Sequence, residues 1–375
     1  MTGRLIPDSD LLLAPDIVHL QTGGVGAMPR PVFDATVAAM TALEQEPVGG
    51  TYGPAAGKID KVRAKAAELL GCTRDQMVLP TSATAGMFLV AQGLRLTHGD
   101  HVLTTDHEHP GGRLGWEWVE RRYGVHIDTV PIAPDETDPQ AIIERFEEAI
   151  RPRTRVLSIS HILYTTGVRL PLTGLCALAR EHGFWAVIDG AQGPGAVPVD
   201  VNAIGCHAYA ASGHKWLCGP KGTGLLYLSD EIAESLDALP LQAGRQANSD
   251  STGIGNIAGM HGLGAAIDYI QAMGPDAIEQ HNFALRSELV EGLSNLPGVS
   301  IPAPRNGPLA SANLAFTLPI DADLAAIRRN LVMRHKVFIR TVDQAGFRGL
   351  RASMHFYNGS NDIQALIQAL QEELS

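Results

Sequence analysis

Short apolar runs alternate with helical segments along most of this chain, and this alternation is the feature that most restricts its fold. Apolar runs at 101–106, 155–160 and 184–189 end in small or polar residues and read as buried strands. Amphipathic patterns between or beside them, such as 138–150 and 172–182, predict helices. The repeat of roughly 25–30 residues indicates βαβ units and therefore an α/β fold with a mostly parallel sheet.

Composition restricts the functional class. A chain of 375 residues with 45% hydrophobic content can bury a large core, and we expect two lobes. The formal net charge of −11 argues against nucleic acid or an anionic membrane surface as a partner. The early apolar run at 11–15 is short and stops at proline, so we expect neither a secretory signal nor a membrane span. Four cysteines without CxxC or metal-ligand spacing predict a reduced, cytoplasmic enzyme with no metal.

The segment at 212–224 places Lys215 between His214 and Trp216 and continues into a glycine-rich run. Bulky, weakly polar neighbours desolvate a lysine, and desolvation disfavours the ammonium form. Such a lysine acts as a nucleophile or forms a Schiff base, whereas an exposed lysine stays protonated. A surface lysine in a loop is the alternative interpretation.

The segment upstream favours the chemical interpretation of Lys215. An apolar run at 186–188 leads into Asp189 and Gly190, as expected for a buried strand that ends in a turn. Ligands of open α/β sheets bind at the carboxyl ends of the strands. A lysine for the aldehyde and a carboxylate for the pyridinium nitrogen are the two groups that pyridoxal 5′-phosphate (PLP) requires.

These two segments resemble the active-site core of class V aminotransferase-type, fold type I PLP enzymes. The nearest group contains selenocysteine lyase, cysteine desulfurase and isopenicillin N epimerase. The resemblance implies a large domain with a mostly parallel seven-stranded sheet and a smaller C-terminal α+β domain. We expect an N-terminal arm at 1–30, the PLP-binding domain at 31–265 and the small domain at 266–375. It also implies a homodimer with its active sites at the subunit interface.

The stretch at 77–90 runs from a strand through small hydroxyl residues into an apolar helix. Free backbone N–H groups and the positive end of the helix dipole favour an anion there, although an ordinary capped helix has the same pattern. The resemblance implies that Ala83 through its backbone and Thr84 through its hydroxyl hold the PLP phosphate. Ser212 and His214 are the further phosphate ligands that it implies.

The same resemblance implies that His109 and Gln192 contact the cofactor ring. The run His107-Glu108-His109 invites a metal site, but consecutive side chains diverge and no distant motif completes a ligand set. The resemblance instead implies that His109 stacks on the pyridine ring and shuttles protons. Gln192 is implied to bond the phenolic oxygen of the ring.

The stretch at 350–358 places Arg351 in an otherwise apolar strand, where it is either paired or available to a carboxylate. The resemblance implies that Arg351 binds the α-carboxylate of an amino-acid substrate. Tyr164 stands where desulfurases carry an asparagine that faces the phenolic oxygen, and we predict it as a substrate-site residue without a defined contact. The residue His161 nearby is equally compatible with a structural histidine.

Two loops are rich in turn residues. Residues 49–54 are predicted to be irregular. In dimeric relatives a Gly-Thr pair of the loop at 240–260 reaches the phosphate of the neighbouring subunit. Here Ile254 stands at the threonine place, so Thr252 or backbone N–H groups are the alternatives.

The implied chemistry takes an amino acid through an external aldimine and a quinonoid, with Lys215 removing the α-proton. Expulsion of a β-substituent then gives elimination, reprotonation on the opposite face gives epimerisation, and reprotonation at the cofactor carbon gives transamination. One desulfurase subgroup has its persulfide cysteine directly before the substrate arginine, but this chain has Leu350 and no cysteine after Cys218. We therefore predict a β-eliminating C–S lyase. The alternatives are an isopenicillin-N-epimerase-like epimerase, an aminotransferase or, in a different class, a non-catalytic PLP-fold protein.

Overall fold

A computed structural model describes residues 2–52, 54–245 and 252–374. The strands in these ranges are β1 (Val18–His19), β2 (Met77–Val78), β3 (His101–Thr105), β4 (His126–Val130), β5 (Thr154–Ser160), β6 (Trp185–Asp189), β7 (Ala208–Ser212), β8 (Gly224–Leu228), β9 (Asn313–Phe316), β10 (Val337–Phe338), β11 (Arg340–Gln344) and β12 (Phe347–Ser353). The α-helices are α1 (Arg30–Gln45), α2 (Pro47–Tyr52), α3 (Pro54–Leu70), α4 (Ala83–Gly93), α5 (Pro110–Tyr123), α6 (Pro139–Glu148), α7 (Leu172–Glu181), α8 (Val201–Ile204), α9 (Asp230–Ser235), α10 (Ile257–Met273), α11 (Pro275–Ser294), α12 (Leu324–Met333) and α13 (Ser360–Leu374).

The large sheet has seven strands in the order β2-β8-β7-β6-β5-β3-β4. The strands from β7 through β4 pair in parallel, and only β8 pairs in the antiparallel sense with β7 and β2. Side chains alternate between two cores: Leu157 and Ile159 of β5 face one hydrophobic cluster, whereas Val156 faces another. Burial on both faces explains the continuous apolar runs in the sequence. The predicted α/β class and the mostly parallel seven-stranded sheet are confirmed.

A third core lies around the antiparallel sheet β11-β12-β9 and includes Leu285, Phe316, Leu350 and Leu366. The N-terminal arm takes part in this region, because β1 pairs in parallel with β10. The domain boundaries at 30 and 265 stay predictions. None of the helices among the described residues is long and apolar enough to cross a membrane.

One local prediction differs from the structure. The sequence predicts an irregular stretch at 49–54, yet α2 is helical through Tyr52. Pro47 stands at the first position of this helix, where no N–H is required. The Gly50 N–H donates to the Glu46 carbonyl (2.8 Å). The alanine-rich strand β7 has few β-branched residues and gives no strong strand signal. Arg351 lies inside β12, as the sequence predicts for a residue of an apolar strand.

The hairpin between β11 and β12 is the element that sequence reasoning missed. Its two turn residues, Ala345 and Gly346, both have positive φ (52° and 73°). A two-residue turn of this kind matches the twist of the flanking strands, but it is signalled in sequence by Asn-Gly or Asp-Gly and not by alanine. The hairpin brings the small sheet to the carboxyl edge of the large sheet.

Candidate active site

A cavity of about 230 Å³ lies where the carboxyl end of β6, the loop after β7, the start of α4 and the small sheet meet. Nine of the ten predicted site residues line it, together with Arg340 and two glycines of the N-terminal arm. Its lining residues are Gly23, Gly24, Ser82, Ala83, Thr84, His109, Tyr164, Asp189, Ala191, Gln192, Ser212, His214, Lys215 and Arg340. The tenth predicted residue, Arg351, is fully buried beside the cavity.

Lys215 lies in the turn that follows β7, with its side chain mostly removed from solvent. Burial, reinforced by Arg351 and Arg340, lowers the pKa of the Lys215 amine from 10.5 to about 8, while Asp189 opposes the shift. The N-terminal arm crosses directly behind this turn, since the Gly26 N–H donates to the His214 carbonyl (2.8 Å). A β-carbon at Gly26 would collide with the Lys215 carbonyl, so this crossing requires glycine.

Asp189 ends β6 and is 6% exposed. One carboxylate oxygen, Oδ1, accepts the Ala191 N–H (3.0 Å). Burial raises the pKa of the Asp189 carboxyl, and attraction to Lys215 and the Ala191 N–H oppose that shift. A β-carbon at Gly112 would lie 2.7 Å from Oδ2, so glycine is also required beside this carboxylate.

His109 is the N-cap residue of α5, and its Nδ1 accepts the Gly111 N–H (3.0 Å). An accepting Nδ1 places the ring hydrogen on Nε2 in the neutral imidazole. Burial, followed by repulsion from Lys215 and the two arginines, lowers the pKa of His109 to about 4. The ring meets Tyr164 edge-on with a centroid distance of 4.9 Å. His109 therefore forms a neutral, oriented wall of the cavity at pH 7.

The predicted phosphate residues lie together at the start of α4. The Ala83 N–H donates to Ser212 Oγ (3.0 Å), and Ser82 caps the helix by accepting the Ala85 N–H (3.1 Å). The Ser212 hydroxyl keeps its own hydrogen for a further acceptor. His214 Nδ1 is buried and has no hydrogen-bond partner among the described residues. This end of the cavity combines a helix N-terminus with polar groups whose bonding is incomplete, which suits an anion.

Gln192 holds the N-terminal arm against the site. Its Nε2 donates to the Gly23 carbonyl (2.9 Å), and its Oε1 accepts the Trp216 indole N–H (2.7 Å). These bonds fix the amide orientation and leave one Nε2 hydrogen for a ligand.

Arg351 is 0% exposed, and its Nη1 donates to the Tyr164 carbonyl. Nε and Nη2 are buried and have no partner among the described residues. Burial, together with Arg340, lowers the pKa of Arg351 to about 9. Buried, unpartnered donors on a cation are costly unless an anion occupies them, so this guanidinium fits a carboxylate ligand.

Tyr164 connects the two lobes around the cavity. Its hydroxyl donates to Gln344 Oε1 at the end of β11, and Gln344 Nε2 donates to the carbonyls of Asp106 (2.9 Å) and Glu108 (3.2 Å). The guanidinium of Arg340 lies over the Tyr164 ring, with Cζ 5.1 Å from the centroid. Arg340 and Gln344 were not predicted, because only the hairpin register brings them to the site.

Two buried titratable groups lie near the cavity. Glu108 accepts hydrogen bonds from Thr105 Oγ1 (2.7 Å) and from the Ser160 N–H and hydroxyl (3.1 and 2.6 Å), and burial raises its pKa to about 7. His161 Nδ1 bonds the Tyr209 hydroxyl (2.8 Å), and burial lowers its pKa to about 3. His161 thus has a structural partner and does not line the cavity.

A larger, mostly apolar cavity of about 620 Å³ adjoins the start of α4 and includes Thr252, Gly255 and Asn256. Residues 246–251 of the loop at 240–260 lie outside the described ranges. Ile254 is 60% exposed, and whether this loop contacts a partner subunit stays a prediction. Because charged and hydrogen-bonding groups converge on the smaller cavity, we assign the candidate active site there.

The residues of the smaller cavity fit PLP. A lysine with a lowered pKa can react with its aldehyde, and Asp189 can meet a protonated ring nitrogen. The α4 N-terminus with the orphaned His214 nitrogen suits its phosphate. No other set of residues in the described ranges combines these features, and no group of three or more metal-ligating side chains occurs there.

Comparison with solved structures places this fold among the fold type I PLP enzymes. The apo structure of a cysteine desulfurase from Thermococcus onnurineus NA1 covers 99% of both chains with a TM-score of 0.86 and 23% identity. A complex between the cystine C-S lyase C-DES and its product cysteine persulfide gives a TM-score of 0.85 with 25% identity. It covers 96% of this chain and 98% of the C-DES chain.

The chain belongs to the class-V aminotransferase family, whose sequence profile matches residues 26–366. Isopenicillin N epimerase of Streptomyces clavuligerus is 32% identical over 96% of each chain. A probable cysteine desulfurase of Methanothermobacter thermautotrophicus is 29% identical over 97% of this chain and 96% of its own. The protein is therefore a PLP-dependent class V enzyme, and the predicted family and cofactor are confirmed.

Proposed function

We propose that this enzyme removes a sulfur substituent from the β-carbon of an amino acid, with Lys215 as the base that takes the α-proton. The observation that carries the proposal is the amine of Lys215, whose pKa of about 8 lies close to neutral pH inside a cavity shared with Asp189 and Arg340. Bound PLP supplies the electron sink that accepts the electron pair of the broken Cα–H bond.

The residues that hold the cofactor divide by position in the cavity. With PLP bound, Asp189 would pair with the ring nitrogen, Gln192 would donate its remaining N–H to the phenolic oxygen, and His109 would pack against the ring. The amine of Lys215 would hold the cofactor at its aldehyde carbon. Ala83, Thr84, Ser212 and His214 would hold the phosphate at the α4 end of the cavity.

Arg351 binds the substrate α-carboxylate through its two free donors, Nε and Nη2. Fixing this carboxylate orients the Cα–H bond toward the amine of Lys215. Lys215 takes the α-proton, and the Cβ–S bond breaks with its electron pair leaving on sulfur. The thiolate takes up a proton, and the remaining aminoacrylate reacts with water to give pyruvate and ammonia.

The positions of the cysteines support elimination without a protein persulfide. The lining of the described cavity includes no cysteine. Cys218 is the nearest to Lys215 in sequence, but it is fully buried, and burial raises the pKa of its thiol. A persulfide acceptor requires an accessible thiolate, which Cys218 does not provide.

Epimerisation is the second candidate, because isopenicillin N epimerase is 32% identical to the chain. In two-base epimerisation, Lys215 takes the α-proton from one face, and a second residue must donate a proton to the opposite face of the α-carbon. His109, with a pKa of about 4, is unprotonated at neutral pH, and the Tyr164 hydroxyl is bonded to Gln344. These groups make poor proton donors at pH 7, which favours elimination over two-base epimerisation.

We also propose a homodimer, as the family resemblance implies. Helix α1 exposes Phe33, Val37 and Met40, each more than 40% accessible, at spacings that share one helix face. Apolar faces of this kind mark protein interfaces. Analytical ultracentrifugation of the wild type and of Phe33→Glu would test the surface, and a monomeric wild type would refute it.

The reaction type is tested by product analysis. The purified holoenzyme is incubated in D2O with S-substituted cysteines, and pyruvate, ammonia and α-deuterium exchange are followed. We expect equal amounts of pyruvate and ammonia, and a visible cofactor absorption band that is lost in Lys215→Ala. Deuterium exchange with inversion of the α-carbon and without pyruvate would refute the lyase and support the epimerase. Retention of both pyruvate release and the visible band in Lys215→Ala would refute the assignment of Lys215.

A further inference from the structure

Arg340 is the charged residue of the cavity that the proposed mechanism leaves without a ligand. In the antiparallel pair of β11 and β12, Arg340 lies directly opposite Arg351. Directly opposed side chains point to the same face of a sheet, and like charges there are destabilising. None of the ion pairs between described residues involves either arginine. Two adjacent cations without counter-ions indicate a site built for more than one negative charge.

The side chain of Arg340 is held in place before any ligand binds. Its guanidinium lies over the Tyr164 ring, and Tyr164 is itself fixed by Gln344 through its hydroxyl. Arg340 Nε is buried and without a partner among the described residues, while the side chain lines the cavity. A guanidinium held against a ring with its Nε–H unpartnered is oriented for an oxyanion.

The acidic side chains of the site are already engaged. Asp189 accepts the Ala191 N–H and is attracted to Lys215. Glu108 is enclosed by its bonds from Thr105 and Ser160. The cofactor phosphate is assigned to the α4 end of the cavity, whereas Arg340 comes from the small sheet together with Arg351. No acidic side chain among the described residues pairs with Arg340, and we take the substrate as the source of its counter-ion.

We propose that Arg340 and Arg351 together select an amino acid with a second acidic group on its side chain. This inference rests on the proposed function: Arg351 takes the α-carboxylate, and Arg340 takes a carboxylate or other oxyanion on the sulfur substituent. The β-carbons of directly opposed residues are about 5 Å apart, so the second acid is a few bonds from the α-carbon. A cysteine conjugate whose sulfur bears a short acidic chain has this spacing.

The test uses two ligands of nearly equal size and shape: S-carboxymethylcysteine and its neutral amide, S-carbamoylmethylcysteine. Binding to the holoenzyme is measured from the change in visible cofactor absorption, so that the readout does not depend on turnover. We expect the wild type to bind the acid at least tenfold more tightly than the amide, because a charge-assisted bidentate pair discriminates by about this factor or more. Arg340→Gln is expected to abolish the preference, whereas Arg340→Lys retains part of it.

Equal affinity of the wild type for acid and amide would overturn the proposal. An equal loss of affinity for both ligands in Arg340→Gln would also overturn it. A weakened affinity of that variant for PLP would do the same, because Arg340 would then bind the cofactor. A normal visible spectrum and melting temperature of Arg340→Gln establish that the variant is folded and loaded.

Pyruvate release, measured separately, distinguishes this inference from the proposed function. An Arg340-dependent acid preference without pyruvate would support the anionic subsite and refute the lyase. Equal pyruvate release and equal binding for both conjugates would refute the subsite and support the lyase.

Discussion

The lowered pKa of Lys215 makes a strong prediction about stability. In the cofactor-free protein at pH 7, Lys215 is protonated although its surroundings favour the neutral amine. Lys215→Met removes this charge and keeps a side chain of similar length. We therefore expect the variant to be more stable than the wild type at pH 7.

The magnitude follows from the pKa values. The pKa of Lys215 falls from 10.5 to about 8 on folding. Each pKa unit corresponds to 1.36 kcal/mol, so the charged lysine lowers the free energy of unfolding by about 3 kcal/mol below pH 8. Between pH 8 and 10.5 the unfolded chain binds more protons than the folded one, so wild-type stability rises with pH. The advantage of Lys215→Met is therefore complete below pH 8 and disappears above pH 10.5.

The assay is urea unfolding of cofactor-free protein at several pH values between 6.5 and 10.5. Lys221→Met is the matched control, because Lys221 is an exposed lysine of the same loop, and surface substitutions usually change stability by less than about 0.5 kcal/mol. A gain in Lys215→Met that does not vary with pH would refute the electrostatic reasoning. An equal gain in Lys221→Met would show that the effect is not specific to the cavity.

Three further predictions concern the turn, the sheet and the cofactor. Ala345→Asn is expected to raise the free energy of unfolding by about 0.5–1 kcal/mol in urea denaturation, because Ala345 has φ of 52° and asparagine tolerates that region better; no gain would contradict the turn geometry. Gly190→Ala is expected to lower stability by about 1–3 kcal/mol, since its β-carbon would collide with the Tyr209 ring; an unchanged melting temperature would contradict this packing. Asp189→Asn is expected to lower kcat by about hundredfold with PLP still bound, because a neutral amide cannot balance a protonated ring nitrogen; wild-type kcat would exclude Asp189 from that function.

The local parts of the site follow from the sequence because each is contained within a short segment. Asp189 ends an apolar strand, and Lys215 lies in the turn after the next strand of the sheet. Parallel strands bring their carboxyl ends to one edge, so residues at two strand ends converge there without further information. The N-terminus of α4 is similarly signalled by the small hydroxyl residues that precede it.

The position of Arg340 in the cavity could not be predicted from the sequence. The sequence around it has no motif, and its turn contains alanine where a hairpin is normally signalled by asparagine or aspartate with glycine. Its position depends on the register of β11 against β12, and a shift of one residue would turn Arg340 to the opposite face. Its link to the large domain depends on Tyr164 and Gln344, which are distant in sequence.

The sequence alone therefore determined the βαβ architecture, the cofactor and the residues at strand and helix ends, because periodicity and local segment chemistry encode them. Only the tertiary structure decided which hydrogen bonds fix Gln192 and His109, how far burial moves the pKa of Lys215, and that Arg340 lines the cavity beside Arg351. Burial and charge proximity arise when segments from opposite ends of the chain pack together, and no local pattern records them.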